Sequence, residues 1–365
     1  MRVIFAGGGT GGHLYPGLAI ARALVRLNPA AQPFFIGARR GIEARVMPET
    51  GFPFALLDLH PLYRRELWRN AVSARHLASS WFEAGALMRT PRPAVVVGLG
   101  GYASGVALAW ATAHGVPTVQ QVGDATPGLA ARAFSRWAKV LYLGFAEALD
   151  RLPRGRDTEV VITGNPIDPP PPDRLTRAQA LARLGWPNPS GSERTVLVFG
   201  GSGGARAINE GVRNWLAGGL PADVRVIWAT GYNQYESYRK SESAQVLVRP
   251  YLSPISDAYQ ASDLAVTRAG AMTCAELAAW GLPAILIPLP KAAADHQTGN
   301  ARAVAAGGGG LVLPESGLTG STLGATVFSV LDSPDRLQAM AAAAREHGRS
   351  DAAEVIARDI LARFA

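Results

Sequence analysis

The chain has 365 residues, 48% of them hydrophobic and 18% charged, which excludes a disordered or fibrous protein and is long enough for two domains. A single cysteine, Cys274, excludes a disulfide framework or a cysteine-based zinc site and points to a reducing compartment. The 36 lysines and arginines against 28 acidic residues leave a net charge of +8, so a polyanionic partner is expected: nucleic acid, a phosphate-bearing substrate or an anionic membrane surface.

The chain opens with the short apolar run Val3 to Ala6 before three glycines. That run is too short for a signal-peptide core, and no later stretch reaches the roughly 18 apolar residues of a membrane-spanning helix. The expectation is a protein that is neither exported by this route nor threaded through a bilayer.

Short apolar runs bounded by glycine or proline then alternate with longer helical patterns. Strands are predicted at 2–6, 33–36, 94–97, 118–121, 140–143 and 160–162, and again at 195–199, 225–229, 245–248, 264–267, 284–287 and 310–313. The runs are continuous rather than alternating, as in parallel strands covered on both faces. Strand, crossover, strand is the pattern of a doubly wound α/β fold. Between the two series lies Gly164-Asn165-Pro166-Ile167-Asp168 and the prolines 169 to 172, a stiff linker that predicts two similar α/β domains facing a cleft.

Both halves begin with one device. Val3 to Ala6 runs into Gly7-Gly8-Gly9-Thr10-Gly11-Gly12-His13, and Val196 to Phe199 into Gly200-Gly201-Ser202-Gly203-Gly204-Ala205-Arg206. A third glycine turn, Gly98 to Gly105, follows Val95 to Val97. Glycines between a strand and a helix let backbone amides approach a ligand, and the helix N-terminus favours an anion. A tight turn also needs glycine for geometry alone, so one such loop carries little. No Gly-Lys-Ser/Thr follows either main loop, which excludes a P-loop. Glu43 lies too far along to be the ribose acid of a nicotinamide site. Three anion-ready turns suit a nucleoside diphosphate ligand together with a second, phosphorylated substrate.

His13 closes the first loop at a helix start, where the helix dipole favours the neutral ring that a general base needs; capping of its own loop is the alternative. Glu276, one turn into the helix that follows Arg268-Ala269-Gly270-Ala271-Met272-Thr273, could accept both ribose hydroxyls, or serve the helix dipole. His296, Gln297 and Asn300 offer donors and acceptors for sugar hydroxyls, with a helix cap at Asp295 as the alternative. Cys274 reads as a small buried apolar residue.

Six motifs stand in order: Gly-Gly-Gly-Thr-Gly-Gly-His at 7–13 with Pro16, Gly-Gly-Tyr-Ala-Ser-Gly at 100–105, Thr-Gly-Asn-Pro at 163–166, Gly-Gly-Ser-Gly-Gly-Ala-Arg at 200–206, Arg-Ala-Gly-Ala-Met-Thr-Cys-Ala-Glu at 268–276, and Asp-His-Gln-Thr-Gly-Asn-Ala at 295–301. Together they resemble the MurG family, over nearly the whole chain. That resemblance implies a GT-B fold and inverting transfer of GlcNAc from UDP-GlcNAc to the MurNAc 4-hydroxyl of undecaprenyl-diphospho-MurNAc-pentapeptide, which makes lipid II for peptidoglycan. It implies no cofactor and no metal, with UDP stabilised by amide dipoles.

By the same resemblance His13 is catalytic. Thr10, Gly11, Gly12, Tyr102, Ser104 and Asp124 hold the acceptor. Ser202, Gly203, Gly204, Leu252, Arg268, Ala271, Met272, Thr273, Glu276, His296, Gln297 and Asn300 hold UDP-GlcNAc. The implied domains are 1–164, completed by a returning helix at about 346–365, and 165–345. The chain departs from the family pattern in four places: Gln121-Val122-Gly123-Asp124 replaces His-Glu-Gln-Asn, Asp168 replaces an arginine, Gly203 replaces a glutamine, and Ser253-Pro254-Ile255 replaces an Asp-Asp-Met run. The first of these leaves open a related UDP-sugar transferase with another lipid or metabolite acceptor.

Arginines and aromatics mingle in Tyr63 to Arg69, Arg75 to Phe82 and Leu87 to Arg89, as on a surface that seats itself on anionic lipid. A helix packing Leu77 and Trp81 inward is the alternative. No nucleic-acid recognition motif accompanies the charge. The expected place is the cytoplasmic face of the cell membrane, held peripherally, in a cell-wall synthesis complex.

Overall fold

A computed structural model describes residues 1–59, 70–186, 193–201, 203–290, 292 and 295–365. The chain divides into two compact units, Met1–Asp168 with Arg349–Ala365, and Pro169–Gly348.

The first unit runs β1 (Arg2–Gly7), α1 (Gly11–Leu27), β2 (Gln32–Ala38), α2 (Glu43–Val46), β3 (Phe54–Leu57), α3 (Asn70–Arg89), β4 (Val95–Gly100), α4 (Gly101–Ala113), β5 (Thr118–Val122), α5 (Leu129–Phe134), β6 (Val140–Leu143) and β7 (Glu159–Ile162). Its seven strands lie in the order β3-β2-β1-β4-β5-β6-β7, and every pairing is parallel. The continuous apolar runs feed two cores at once: Val3 and Phe5 pack on one face of the sheet, Ile4 and Ala6 on the other. β3 is an edge strand that the sequence reading lacks. Its residues are mostly half-exposed and none is β-branched, so no strand pattern marks it.

The second unit runs α6 (Arg177–Leu184), β8 (Arg194–Phe199), α7 (Arg206–Leu216), β9 (Val224–Ala229), α8 (Tyr235–Tyr238), β10 (Val246–Arg249), α9 (Ile255–Ala261), β11 (Leu264–Thr267), α10 (Ala271–Trp280), β12 (Ala284–Leu286), α11 (His296–Ala306), β13 (Gly310–Val312), α12 (Gly320–Leu331) and α13 (Pro334–His347). Its strand order is β10-β9-β8-β11-β12-β13, again all parallel. The two units therefore share a topology. In each, the first strand of the unit sits beside the fourth, where the winding reverses. Ligands of doubly wound sheets bind outside the carboxyl ends of strands at such a reversal.

The last helix, α14 (Ala352–Phe364), belongs to the first unit. Ala353, Ile356, Ala357 and Ile360 join the core under α1. Buried Tyr142 of β6 donates its hydroxyl to Asp359 Oδ2 at 2.7 Å, and Arg363 bridges Asp359 and Glu159. Burial and the neighbouring Asp359 charge hold the Tyr142 hydroxyl far above its ordinary pKa, so it stays a donor.

Candidate active site

In the first unit the reversal brings together the loops after β1 and β4. Gly8 donates its amide to the Gly100 carbonyl at 3.3 Å. A Cβ on Gly101 would lie 2.2 Å from the Gly8 carbonyl oxygen, and one on Gly100 2.8 Å from His13 Cδ2. Glycine is thus the residue that lets the two loops touch and makes room for the imidazole. Thr10 is the N-cap of α1 in extended conformation, and its carbonyl takes the amides of His13 and Leu14.

Thr10 Oγ1 stands 3.2 Å from His13 Nδ1. The tautomer protonated at Nδ1 donates to Thr10 and leaves Nε2 to receive a proton. Gly11 and His13 are half-buried and Gly12 is exposed. Tyr102 is half-buried too, its hydroxyl pKa raised by burial and by the charge of Glu43. Ser104 is 1% exposed, and its Oγ is buried without a hydrogen-bond partner. Asp124 is half-buried after β5.

The altered segment at 121–124 has a structural use. Gln121 is buried and donates its Nε2 to Asn165 Oδ1 at 2.9 Å, while Asn165 Nδ2 donates to the Gly123 carbonyl at 2.9 Å. These bonds tie the end of β5 to the Thr163–Pro166 turn. Asp168 pairs with Arg22 of α1 at 2.5 Å.

In the second unit the loops after β8 and β11 border an open cavity of about 610 Å³, lined among others by Gly204, Thr267, Arg268, Thr273, Leu289 and Gln297. The N-termini of α7 and α10 both open on it. Their N-cap residues, Ala205 and Gly270, provide no side-chain cap, whereas α6 and α12 are closed by threonine capping boxes. Two uncapped helix starts on one cavity can offer an anion first-turn amides as donors, with the helix dipoles adding attraction.

Arg268 faces this cavity with its charge already engaged. Its guanidinium donates to the carbonyls of Ile287 and Pro288 and pairs with Glu315 at 2.5 Å, so it shapes the wall. Gln297 accepts the Leu289 amide through Oε1 at 3.0 Å, and Asn300, fully buried, donates to the Ala269 carbonyl. Asp295 precedes α11 in left-handed conformation without capping it, and His296 opens the helix. Ala271 and Leu252 are buried, Met272 is half-buried and Gly203 exposed; Ser202 lies outside the described residues, as do Tyr63 to Arg69.

Glu276 is half-buried on α10, and buried Tyr259 of α9 donates its hydroxyl to Oε2 at 2.7 Å. Burial first, and then the Glu276 charge, raise the Tyr259 pKa well above its ordinary value. The tyrosine therefore acts as a permanent donor that aims the carboxylate. Sequence reasoning missed this partner, and it missed Asn209. Asn209 accepts from Trp228 Nε1 and donates to the Thr230 carbonyl and Gln234 Oε1, bracing the turn packed against Gly204. On α3, Leu77 and Phe82 are exposed and Trp81 is half-buried near the ring of His114.

Comparison with known proteins gives this geometry a family. Residues 3–143 match the Glycosyltransferase family 28 N-terminal domain and residues 195–356 the Glycosyltransferase family 28 C-terminal domain. A relative from Syntrophotalea carbinolica, named UDP-N-acetylglucosamine--N-acetylmuramyl-(pentapeptide) pyrophosphoryl-undecaprenol N-acetylglucosamine transferase, is 40% identical over 98% of both chains. One of the same name from Moorella thermoacetica is 39% identical over 99% of this chain and 98% of its own. The crystal structure of Acinetobacter baumannii MurG superposes with a TM-score of 0.78 at 27% identity over 99% of both chains. A Listeria monocytogenes structure described as a UDP-N-acetylglucosamine 2-epimerase, at TM-score 0.71 and 15% identity over 100% of this chain and 96% of its own, shares the fold alone. The chain belongs to glycosyltransferase family 28 and, within it, to the MurG family of GT-B enzymes.

Proposed function

We propose that the protein transfers GlcNAc from UDP-GlcNAc to the 4-hydroxyl of MurNAc in undecaprenyl-diphospho-MurNAc-pentapeptide, with inversion at the anomeric carbon. The cavity shared by the N-termini of α7 and α10 carries this reading, because it supplies a diphosphate site beside the ribose-ready pair Glu276 and Tyr259. Full-length relatives named for the same transfer support it.

In the proposed reaction His13 Nε2 takes the proton of the attacking hydroxyl, whose oxygen bonds to C1 of GlcNAc from the face opposite UDP. The C1–O bond to the β-phosphate breaks, and UDP leaves with the electron pair. Helix-start amides take up the charge that develops on the diphosphate. Thr10 orients the imidazole, and the amides of Gly11 and Gly12 meet the acceptor's diphosphate. Gln297 and His296 flank the sugar; Asn300 and Arg268 support the wall. Leu77 and Phe82 on α3 seat the first unit on an anionic inner-membrane surface, where the polyprenyl acceptor resides. Among the described residues no helix is long and apolar enough to cross a membrane.

UDP release measured with and without a short-chain lipid I analogue tests the reading. Acceptor-dependent release with a disaccharide product is the expected result, and His13→Ala should flatten the acidic limb of its pH–rate profile. The segment Gln121 to Asp124 favours a second reading, a related transferase with another acceptor. UDP-GlcNAc binding without turnover of lipid I would select it.

A further inference from the structure

The first glycine loop rests on a carboxyl group that the reaction does not use. Glu43, the first residue of α2, is only 1% exposed. Its Oε1 accepts the Gly9 amide at 2.6 Å, and its Oε2 is buried without a hydrogen-bond partner. Three glycines from different segments clear a socket for it. A Cβ on Gly8 would fall 1.0 Å from Oε1, one on Gly41 1.8 Å from Oε2, and one on Gly37 2.9 Å from Cγ.

Burying a carboxyl with one oxygen unpaired is unfavourable, and a well-packed apolar side chain would fill the space at less cost to stability. Service to a helix dipole does not explain the placement either, because α2 is a single turn. Burial raises the carboxyl above its ordinary pKa. Above the loop lies Tyr102, whose ring would be 3.2 Å from a Cβ on Gly9, with Arg40 acting on its hydroxyl. The Gly8–Gly9 peptide is therefore gripped between Glu43 and Tyr102. The next residue, Thr10, stands at the N-cap position of α1 and contacts His13 Nδ1, so any rotation at Gly9 passes within one residue to the helix start and the imidazole.

We propose that Glu43 is a positioning residue of the acceptor half-site: by accepting the Gly9 amide from beneath, it fixes the direction in which Thr10, Gly11, Gly12 and His13 face the acceptor. This rests on the reading of the first glycine loop as the acceptor's diphosphate site.

The test uses the full chain with Glu43→Ala, Glu43→Asp and Glu43→Gln. Initial rates are measured against the lipid I analogue and UDP-GlcNAc, with UDP affinity by calorimetry. Glu43→Ala is expected to raise the acceptor KM at least tenfold with UDP affinity within twofold of wild type. Glu43→Asp, which withdraws the oxygen by one methylene, should behave like it and replaces it if the alanine variant does not fold. Glu43→Gln keeps an acceptor oxygen for Gly9 and should remain within threefold of wild type.

An acceptor KM unchanged in Glu43→Ala and Glu43→Asp, a parallel loss of UDP affinity, or a glutamine variant as impaired as alanine overturns the proposal. If wild type binds UDP yet ignores lipid I, the acceptor reading fails and the brace is read by amide hydrogen exchange. Exchange across residues 9–13 then accelerates at least tenfold in Glu43→Ala and not in Glu43→Gln, and equal exchange in all three proteins overturns the brace.

Discussion

Gly101→Ala, set beside Gly115→Ala, separates backbone strain from displacement of the first glycine loop. Gly101 has φ +75°, a left-handed conformation that costs an alanine roughly 1–2 kcal/mol. Its new Cβ would also meet the Gly8 carbonyl oxygen at 2.2 Å and His13 Nδ1 at 3.3 Å. Real Cβ contacts do not fall below 3.0 Å, so the two loops must part by about 0.8 Å. Misplacing a reacting group by about 1 Å costs on the order of 10²-fold in rate. Gly115, in the same unit, has φ +65° but would place its Cβ no closer than 3.9 Å to any neighbour. Gly115→Ala therefore carries the strain without the push. Gly115→Ala should lose about 1–2 kcal/mol in urea unfolding of the first unit, and Gly101→Ala at least as much because its clash adds to the strain. Only Gly101→Ala should lose kcat in the UDP-release assay, by roughly 30- to 100-fold, with UDP affinity unchanged. Equal kcat in the two variants would show that loop contact does not set the imidazole's position.

Four other perturbations read separate parts of the molecule. Tyr259→Phe removes the donor that aims Glu276; a hydrogen bond to a charged group is worth about 1.5–3 kcal/mol, so KM for UDP-GlcNAc should rise roughly tenfold or more with the acceptor KM constant. An unchanged donor KM would sink the ribose assignment of Glu276. Tyr142→Phe takes a donor from Asp359 but leaves it Arg363, and should cost about 1–2 kcal/mol in the first unfolding transition with no change in kcat. Glu43 predicts a pH dependence: its folded pKa lies above its ordinary 4.5, so stability is complete below 4.5 and declines as pH rises through the folded value, where a charge must be buried. Glu43→Gln should remove that decline, and parallel Tm–pH curves for the two proteins would contradict it. Finally, Leu77→Glu with Phe82→Glu should reduce co-sedimentation with phosphatidylglycerol vesicles several-fold at constant turnover of a water-soluble acceptor; undiminished sedimentation would refute the membrane contact proposed for α3.

Much of this was legible in the sequence because its physics is local. Val95 to Val97 or Leu264 to Val266 could only be strands buried on both faces, and the sheets bear that out. The glycine loops were legible because close backbone approach admits few other residues. What escaped depends on partners far apart in sequence. Glu43 and Gly9 are 34 residues apart, Tyr259 and Glu276 17, and Gln121 and Asn165 44. Each pair joins elements that only the parallel crossovers bring together, so neither residue carries a local mark of the other. In the sequence Glu43 matches only the acid of a nicotinamide site, a role its spacing rules out. The inward packing of Leu77 and Trp81 is met only by the second: Leu77 is 48% exposed, whereas Trp81 is half-buried near the ring of His114.

The return of α14 to the first unit imposes an order on how the molecule is made. Residues 169–348 leave the ribosome before 349–365 can complete the sheet domain begun at Met1. At synthesis rates of about 5–20 residues per second, the first unit waits roughly 10–40 s with the α1 face that will receive Ile356 and Ile360 uncovered. The second unit, contiguous in sequence, has no such wait. The nascent protein thus carries a finished second unit attached to an unsealed first unit, and a chaperone engaging it would find its apolar target on α1.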